Sequence, residues 1–273
     1  MPVPAKFFDL TGSAHGALFI PDQPVWTALD RLGAYLAGYF GNAWPLKGRT
    51  GLVAKAFAIV DGQVREDVEV RQGKKGNAVA FAGGVQLGNA AIVMAGTYLF
   101  DDRVILGPGT VVEPGALIKG PAVIGANTGI RQGAYLRGDC LAGDGCIIGH
   151  TTEMKSSIML DGAKAGHFAY VGDSILGRDV NLGAGTKLAN LRMIPGAISV
   201  RGEKGRIDTG RRKLGAILGD GTETGCNSVT SPGTLTGPRS VIYPAVAVPP
   251  GIYPGQTHFR PPQGSPVIRS TKT

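Results

Sequence analysis

From Phe100 to Leu160 every sixth residue is apolar: Phe100, Leu106, Val112, Ile118, Ile124, Ile130, Leu136, Ala142, Ile148, Met154 and Leu160. A helix face repeats at 3.6 residues and a simple strand at 2, so a sustained period of six fits neither alone. It fits a parallel β-helix of hexapeptides, in which each short flat face sends one apolar side chain into the core. Glycine often follows that side chain, as in Ile124-Gly125, Ile148-Gly149, Val171-Gly172, Leu176-Gly177, Leu182-Gly183 and Leu218-Gly219. Most of the 44 glycines are therefore read as structural, serving turns with little room at their corners.

The solenoid is expected over 86–248. It keeps its register to Leu160, after which Ala165, Val171, Leu176 and Leu182 require two five-residue steps. Residues 1–85 are expected to form a small α+β cap. Asp22 and Pro24 precede Trp26, Leu29, Leu32, Leu36 and Phe40, whose spacing predicts one amphipathic helix ending at Gly41-Asn42. Asp61-Gly62 and Lys74-Lys75-Gly76-Asn77 each read as a turn between strands. The expected role of the cap is to close the open end of the solenoid, an otherwise sticky edge; partner docking is the alternative. The segment 192–213 holds seven Lys/Arg and two acidic residues and reads as a long basic loop leaving the coil, either solvated or serving as a lid. The Pro-rich tail, 249–273, has few apolar residues and is expected to run extended.

No run of about 18 apolar residues predicts a membrane helix. The start, MPVPAKFFDLTG, lacks the basic and apolar regions of a secretory signal, which suits a cytoplasmic protein. Cys140, Cys146 and Cys226 have no CxxC spacing, so neither a disulfide framework nor a zinc site is expected. A net charge of +8 suits anionic ligands, whereas nucleic-acid binding is not expected with only 7% aromatic residues.

Chemistry concentrates in 147–190. If three hexapeptides make a coil, Lys119, Arg137 and Lys155 stack about 4.8 Å apart on the outside. Such a column repels itself by roughly 3–4 kcal/mol per pair at an effective dielectric near 20, less when water screens it. A bound phosphate would remove that cost; a screened basic strip is the alternative. His167 carries an imidazole, a side chain suited to general-base work, and could take a proton from an attacking amine or hydroxyl. Tyr170 could bind a phosphate, and Asn181 and Asn190 could meet sugar hydroxyls or an acyl amide. Asp173 could orient His167 or a substrate, or form a turn.

The order EMK, AGHFAYVGD, NLGAGT, with LRGDC upstream, resembles the acetyltransferase domain of bifunctional N-acetylglucosamine-1-phosphate uridyltransferase/glucosamine-1-phosphate acetyltransferases. The resemblance covers about 130–245 and is most specific within 147–190. It implies a left-handed β-helix with 18-residue triangular coils, packed as a homotrimer with sites at subunit interfaces. It implies acetyl-coenzyme A as co-substrate and His167 as general base. Arg137, Lys155 and Tyr170 would hold a sugar phosphate, Asn181 the sugar, and Asn190 the sugar or acyl group. Lys213 would also contact substrate. Gly183, Ala184, Asn190 and Cys226 would line the coenzyme A site, Cys226 standing where the family carries Ser. The family's uridyltransferase domain, with its GxGTRM start, has no counterpart in 1–85. After Asn190, LRMIPG and the basic loop replace the family's YDG.

The reading is thus a coenzyme A-dependent acetyltransferase acting on an amino-sugar phosphate or nucleotide sugar, with no metal. Its rival is a non-catalytic sugar-phosphate-binding and oligomerising module on the same fold. A metal-dependent carbonic anhydrase requires three His ligands, and His15, His150, His167 and His258 are too scattered to supply them.

Overall fold

The computed structural model describes residues 1–73, 78–202 and 205–261. The hexapeptides wind into a three-sided parallel β-helix. Among the described residues its faces belong to sheets of eleven, nine and eight strands. One coil defines them: Lys164–His167 lies on the first face, Tyr170–Gly172 on the second and Ile175–Leu176 on the third. In the early coils, paired residues are 18 apart, as in Val111 with Gly129 and Leu117 with Tyr135. Leu106 and the sixth residues after it, as far as Met154, are buried in one continuous core. Removing these side chains from water supplies the driving force of the coil, at about 25 cal/mol per Å² of apolar surface.

The two ends of the periodic series point elsewhere. Leu99, paired with Ile118, faces inward, whereas Phe100 is 51% exposed. Met159 pairs with Ala142 in the core, whereas Leu160 is buried in a second cluster outside it. The five-residue steps are therefore Met154 to Met159 and Val171 to Leu176. Both fall at the corner between the second and third faces. Below them, that corner uses Gly138 and Asp139, both at positive φ; above, Ser156 or Asp173 turns it alone, at φ 45° and 47°. One residue fewer at the corner shortens the coil to 17, as in Glu153 with Tyr170.

The N-terminal region divides its work. Gly51–Leu52 pairs antiparallel with Tyr98–Leu99, and Phe57–Val60 with Ala91–Val93, so these strands close the solenoid's end. Asp61-Gly62 makes the expected hairpin turn, with φ 48° and 76°. The turn expected at Lys74–Asn77 lies outside the described residues. Residues 1–40 do not close the end. They lie along the third face, where Trp26, Leu29, Leu32 and Leu36 join Leu141, Ile158 and Ile217 in the second cluster. The reason lies in the third face's outward positions, which are apolar and need cover. The helix is Thr27–Ala37, shorter than expected. Asp22 does not cap it; Trp26 occupies the N-cap, and the Thr27 hydroxyl donates to the Pro24 carbonyl at 2.8 Å.

The basic loop also docks on the third face. Ser199–Gly202 and Gly205–Asp208 form a hairpin, and Ile198 and Val200 are buried in the second cluster. The solenoid continues past Val248: Gly251–Tyr253 pairs with Thr234–Thr236, and His258–Phe259 with Val241–Ile242. Backbone pairing carries this last coil, in which the side chains of Ile252, Tyr253 and Phe259 are only half-buried.

Candidate active site

The outward column of cations is real in register, and two of its three members, Arg137 and Lys155, are paired within the chain. Lys119 lies beside Arg137, and Lys155 beside Gly172, in neighbouring second-face strands. Arg137 Nη1 donates to Glu153 Oε1 at 2.6 Å, and Lys155 Nζ to Asp173 Oδ2 at 3.3 Å. Carboxylates from this chain therefore stand where the sequence suggested a bound anion. Glu153, the first residue of EMK, sits between Tyr135 and Tyr170 in a second column of the same face, and its pairing with Arg137 is not signalled by the repeat.

Asp173 is the centre of the cluster. It is buried at the shortened corner, and its Oδ2 accepts from both Lys155 and Asn190 Nδ2, the latter at 2.6 Å. Arg211, delivered by the docked hairpin, places Nη2 at 3.8 Å from Asp173 Oδ1 and pairs with Asp30 of the helix. A carboxylate this buried needs such donors to offset its lost hydration. Burial raises the Tyr170 pKa above that of a free phenol; Glu153 and Asp173 add to the rise, and a hydrogen bond with Asn190 opposes it. Tyr170 is therefore a neutral phenol at physiological pH. Its ring lies over Gly172, where an added Cβ would stand 2.5 Å from the Tyr170 hydroxyl. Glycine at 172 is what lets the ring lie down.

His167 stands at the corner between the first and second faces, exposed, next to His150 in the coil below. His150 Nδ1 lies 3.0 Å from the Gln132 carbonyl, and Phe168 packs edge-on to the His150 ring. Among the described residues the His167 ring makes no hydrogen bond, so both its nitrogens face solvent or a ligand. Gly183, Ala184 and Cys226 continue this corner upward. Gly185 N–H donates to the His167 carbonyl, and Asn227 N–H to that of Ala184. Cys226 is an exposed free cysteine, whereas burial pushes the Cys140 and Cys146 thiols up to about 12.

The structure thus brings Lys155, Tyr170 and Asn190 together around Asp173, with Arg137 beside them on Glu153. His167, Gly183, Ala184 and Cys226 share the neighbouring corner. Asn181 belongs to neither group: it starts its first-face strand, at the edge away from His167, and donates to Glu223 Oε2 at 2.9 Å. Lys213 joins the cluster's rim through a backbone bridge to Leu191. With Asp30, Arg211 and Arg212 it lines a groove of about 580 Å³. A larger groove of about 810 Å³ lies against the lower first face, between Arg71 and Ile147, and none of the candidate residues lines it. No helix among the described residues is long and apolar enough to cross a membrane.

With the geometry in hand, comparisons place the solenoid among known proteins. The family model of the GMPPB C-terminal domain matches residues 118–218. A bifunctional sugar-1-phosphate nucleotidylyltransferase/acetyltransferase of Sulfurisphaera tokodaii is 39% identical over 155 residues, covering 50% of this chain and 39% of that protein. The bifunctional protein GlmU of Methanococcus vannielii is 37% identical over 111 residues, covering 40% of this chain and 26% of the relative. The GlmU of a Synechococcus strain is 32% identical over 160 residues, 54% of this chain and 32% of its own length. The chain thus spans well under half the length of these relatives. A solved UDP-N-acetylglucosamine acyltransferase of Francisella novicida matches 58% of this chain and 60% of its own, at 16% identity and a TM-score of 0.25. About half of the chain is homologous to the bifunctional sugar-1-phosphate nucleotidylyltransferase/acetyltransferases.

Proposed function

We propose that the chain is a coenzyme A-dependent acetyltransferase acting on an amino-sugar phosphate or nucleotide sugar. The observation that carries the proposal is the exposed, unengaged His167 ring one corner away from the Arg137–Lys155–Tyr170–Asn190 cluster. The names of the relatives, which pair sugar-1-phosphates with acetyl transfer, agree with it.

In the proposed reaction the phosphate rests on Arg137, Lys155 and the neutral Tyr170 phenol. Each cation would trade part of its carboxylate pairing for the phosphate. Remote binding then orients the amine at the reacting centre. Neutral His167 accepts a proton as the amine nitrogen attacks the thioester carbonyl. The tetrahedral intermediate collapses, the carbon–sulfur bond breaks, and the imidazolium returns its proton to the departing thiolate. The oxyanion needs a backbone donor. Gly183 N–H and Gly185 N–H already donate within the coil ladder, whereas Ala184 N–H, between them, takes no part in it. Ala184 is therefore the donor of choice on this edge. Asn181 lies apart from the cluster within one chain, so a substrate contact from Asn181 calls for a neighbouring subunit, in keeping with a trimer.

The test is thiol release from acetyl-coenzyme A with glucosamine-1-phosphate. His167→Ala is expected to lower turnover by about a hundredfold to ten-thousandfold. Its unfolding midpoint should stay put, because the ring contributes no hydrogen bond to the fold. Sugar-phosphate binding without thiol release would favour the binding module instead.

A further inference from the structure

The groove beside Asp173 is built by the end of the docked hairpin, which also delivers Arg211 to the cluster. Arg211, Arg212 and Lys213 are consecutive residues at the end of the docked hairpin, and all three line it. Arg211 is committed, held between Asp30 and Asp173. Among the described residues Arg212 and Lys213 make no ion pair, and both side chains are exposed. Their backbone is nonetheless fixed. Ile198 N–H donates to the Arg211 carbonyl at 2.8 Å, Arg211 Nε to the Lys213 carbonyl at 3.0 Å, and Leu214 N–H to the Asn190 carbonyl at 3.0 Å. Lys213 also bridges Leu191, and Leu214 is fully buried behind it.

Among the described residues the groove therefore presents two cations without an ion pair from a fixed backbone, and the carboxylate lining it, Asp30, is taken by Arg211. It is contiguous with the cluster, since Arg211 touches Asp173 and Asn190 precedes Leu191. A monophosphate held by Lys155 and Arg137 would leave Arg212 and Lys213 uncovered on the far side of the Asp173–Asn190 pair. A ligand that satisfies both sets carries anionic charge beyond a single phosphate.

We infer that the Arg212–Lys213 groove is a second anion subsite that takes the diphosphate of a nucleotide-bearing ligand. The guanidinium of Arg212 suits paired phosphoryl oxygens, and Lys213 adds a point charge beside it. Two ligands of the proposed reaction could supply a diphosphate: a nucleoside-diphosphate amino sugar, or coenzyme A. The inference rests on the acetyltransferase reading for the ligand set but not for the subsite itself.

Calorimetric titration of the full chain with four probes tests it: UDP-glucosamine, glucosamine-1-phosphate, acetyl-coenzyme A and S-acetylpantetheine. Arg212→Ala is expected to weaken one diphosphate-bearing probe by about tenfold, the value of one charge-assisted contact. Glucosamine-1-phosphate and S-acetylpantetheine should bind as before, and Arg212→Lys should recover part of the loss. Whichever diphosphate probe responds identifies the source. Wild-type protein that binds neither diphosphate probe, or an Arg212→Ala variant that affects all four probes equally or none, would overturn the subsite. Thiol release separates the two proposals. Transfer with no Arg212 effect removes the subsite alone, and an Arg212 effect with no transfer removes the acetyltransferase alone.

Discussion

Asn190 Nδ2 donates to Asp173 Oδ2 at 2.6 Å, joining two residues 17 apart in sequence at one corner of successive coils. The same oxygen accepts from Lys155, and the other lies near Arg211. One buried carboxylate thus fixes three side chains that come from three different stretches of chain. Asp173→Asn keeps the size but removes the charge that Lys155 and Arg211 face. It should cost about 2 kcal/mol in urea unfolding, less than for a fully buried pair because Lys155 is partly exposed. It should also lower kcat/KM for a sugar phosphate by about tenfold, through misplaced Lys155 and Asn190. Unchanged kinetics would mean that Asp173 serves the corner alone.

Tyr170 and Gly172 allow a finer test. A methyl at 172 would meet the Tyr170 hydroxyl and ring carbons at 2.5 to 2.8 Å. Those atoms are the far end of a side chain that can swing away, so the coil itself should tolerate Gly172→Ala at a cost of about 1 kcal/mol. The displaced phenol should raise KM for the sugar phosphate by about tenfold with a smaller change in kcat. A variant with wild-type KM would remove Tyr170 from phosphate binding.

The period of six made the fold legible because each inward residue is apolar for its own sake. It could not reveal that residues 1–40 lie along the third face as a strap. Leu141, Ile158 and Ile217 are outward residues flanking the periodic positions, and only their shared column on the third face identifies them as a docking surface. The Arg137, Lys155, Tyr170 and Asn190 group was legible through motif order. Glu153 and Arg211 were not, because ion pairing between coils depends on which corner is shortened. The placement of Met159 rather than Leu160 in the core has the same origin.

Leu32 measures the strap. It is 1% exposed, on the helix face turned to the solenoid. Leu32→Ala should cost about 2–5 kcal/mol if the strap and coil unfold together. Hydrogen exchange distinguishes the alternative. A strap that opens on its own would lose protection at Thr27–Ala37 while the coil strands keep theirs.

His15 makes the strap sensitive to acid. Its Nδ1 lies 2.9 Å from the Tyr35 hydroxyl, which in turn lies 3.3 Å from that of Tyr39. Burial lowers the His15 pKa below 6.5, and the partial opposing influence of Asp161 and Asp144 does not cancel it. Burial also raises the Tyr35 pKa, so Tyr35 faces His15 as a neutral phenol near neutrality. Above pH 6.5 the imidazole is neutral in the folded and unfolded chain alike, and stability is at its full value. As pH falls through 6.5, the unfolded chain binds a proton that the folded chain still refuses, so stability drops until the folded pKa is reached. The wild-type chain should therefore lose more unfolding free energy between pH 7.5 and 5.5 than His15→Gln, which keeps a polar partner for Tyr35 but cannot titrate. Urea unfolding at the two pH values measures the difference, and identical slopes would show that His15 is accessible to protons in the folded chain.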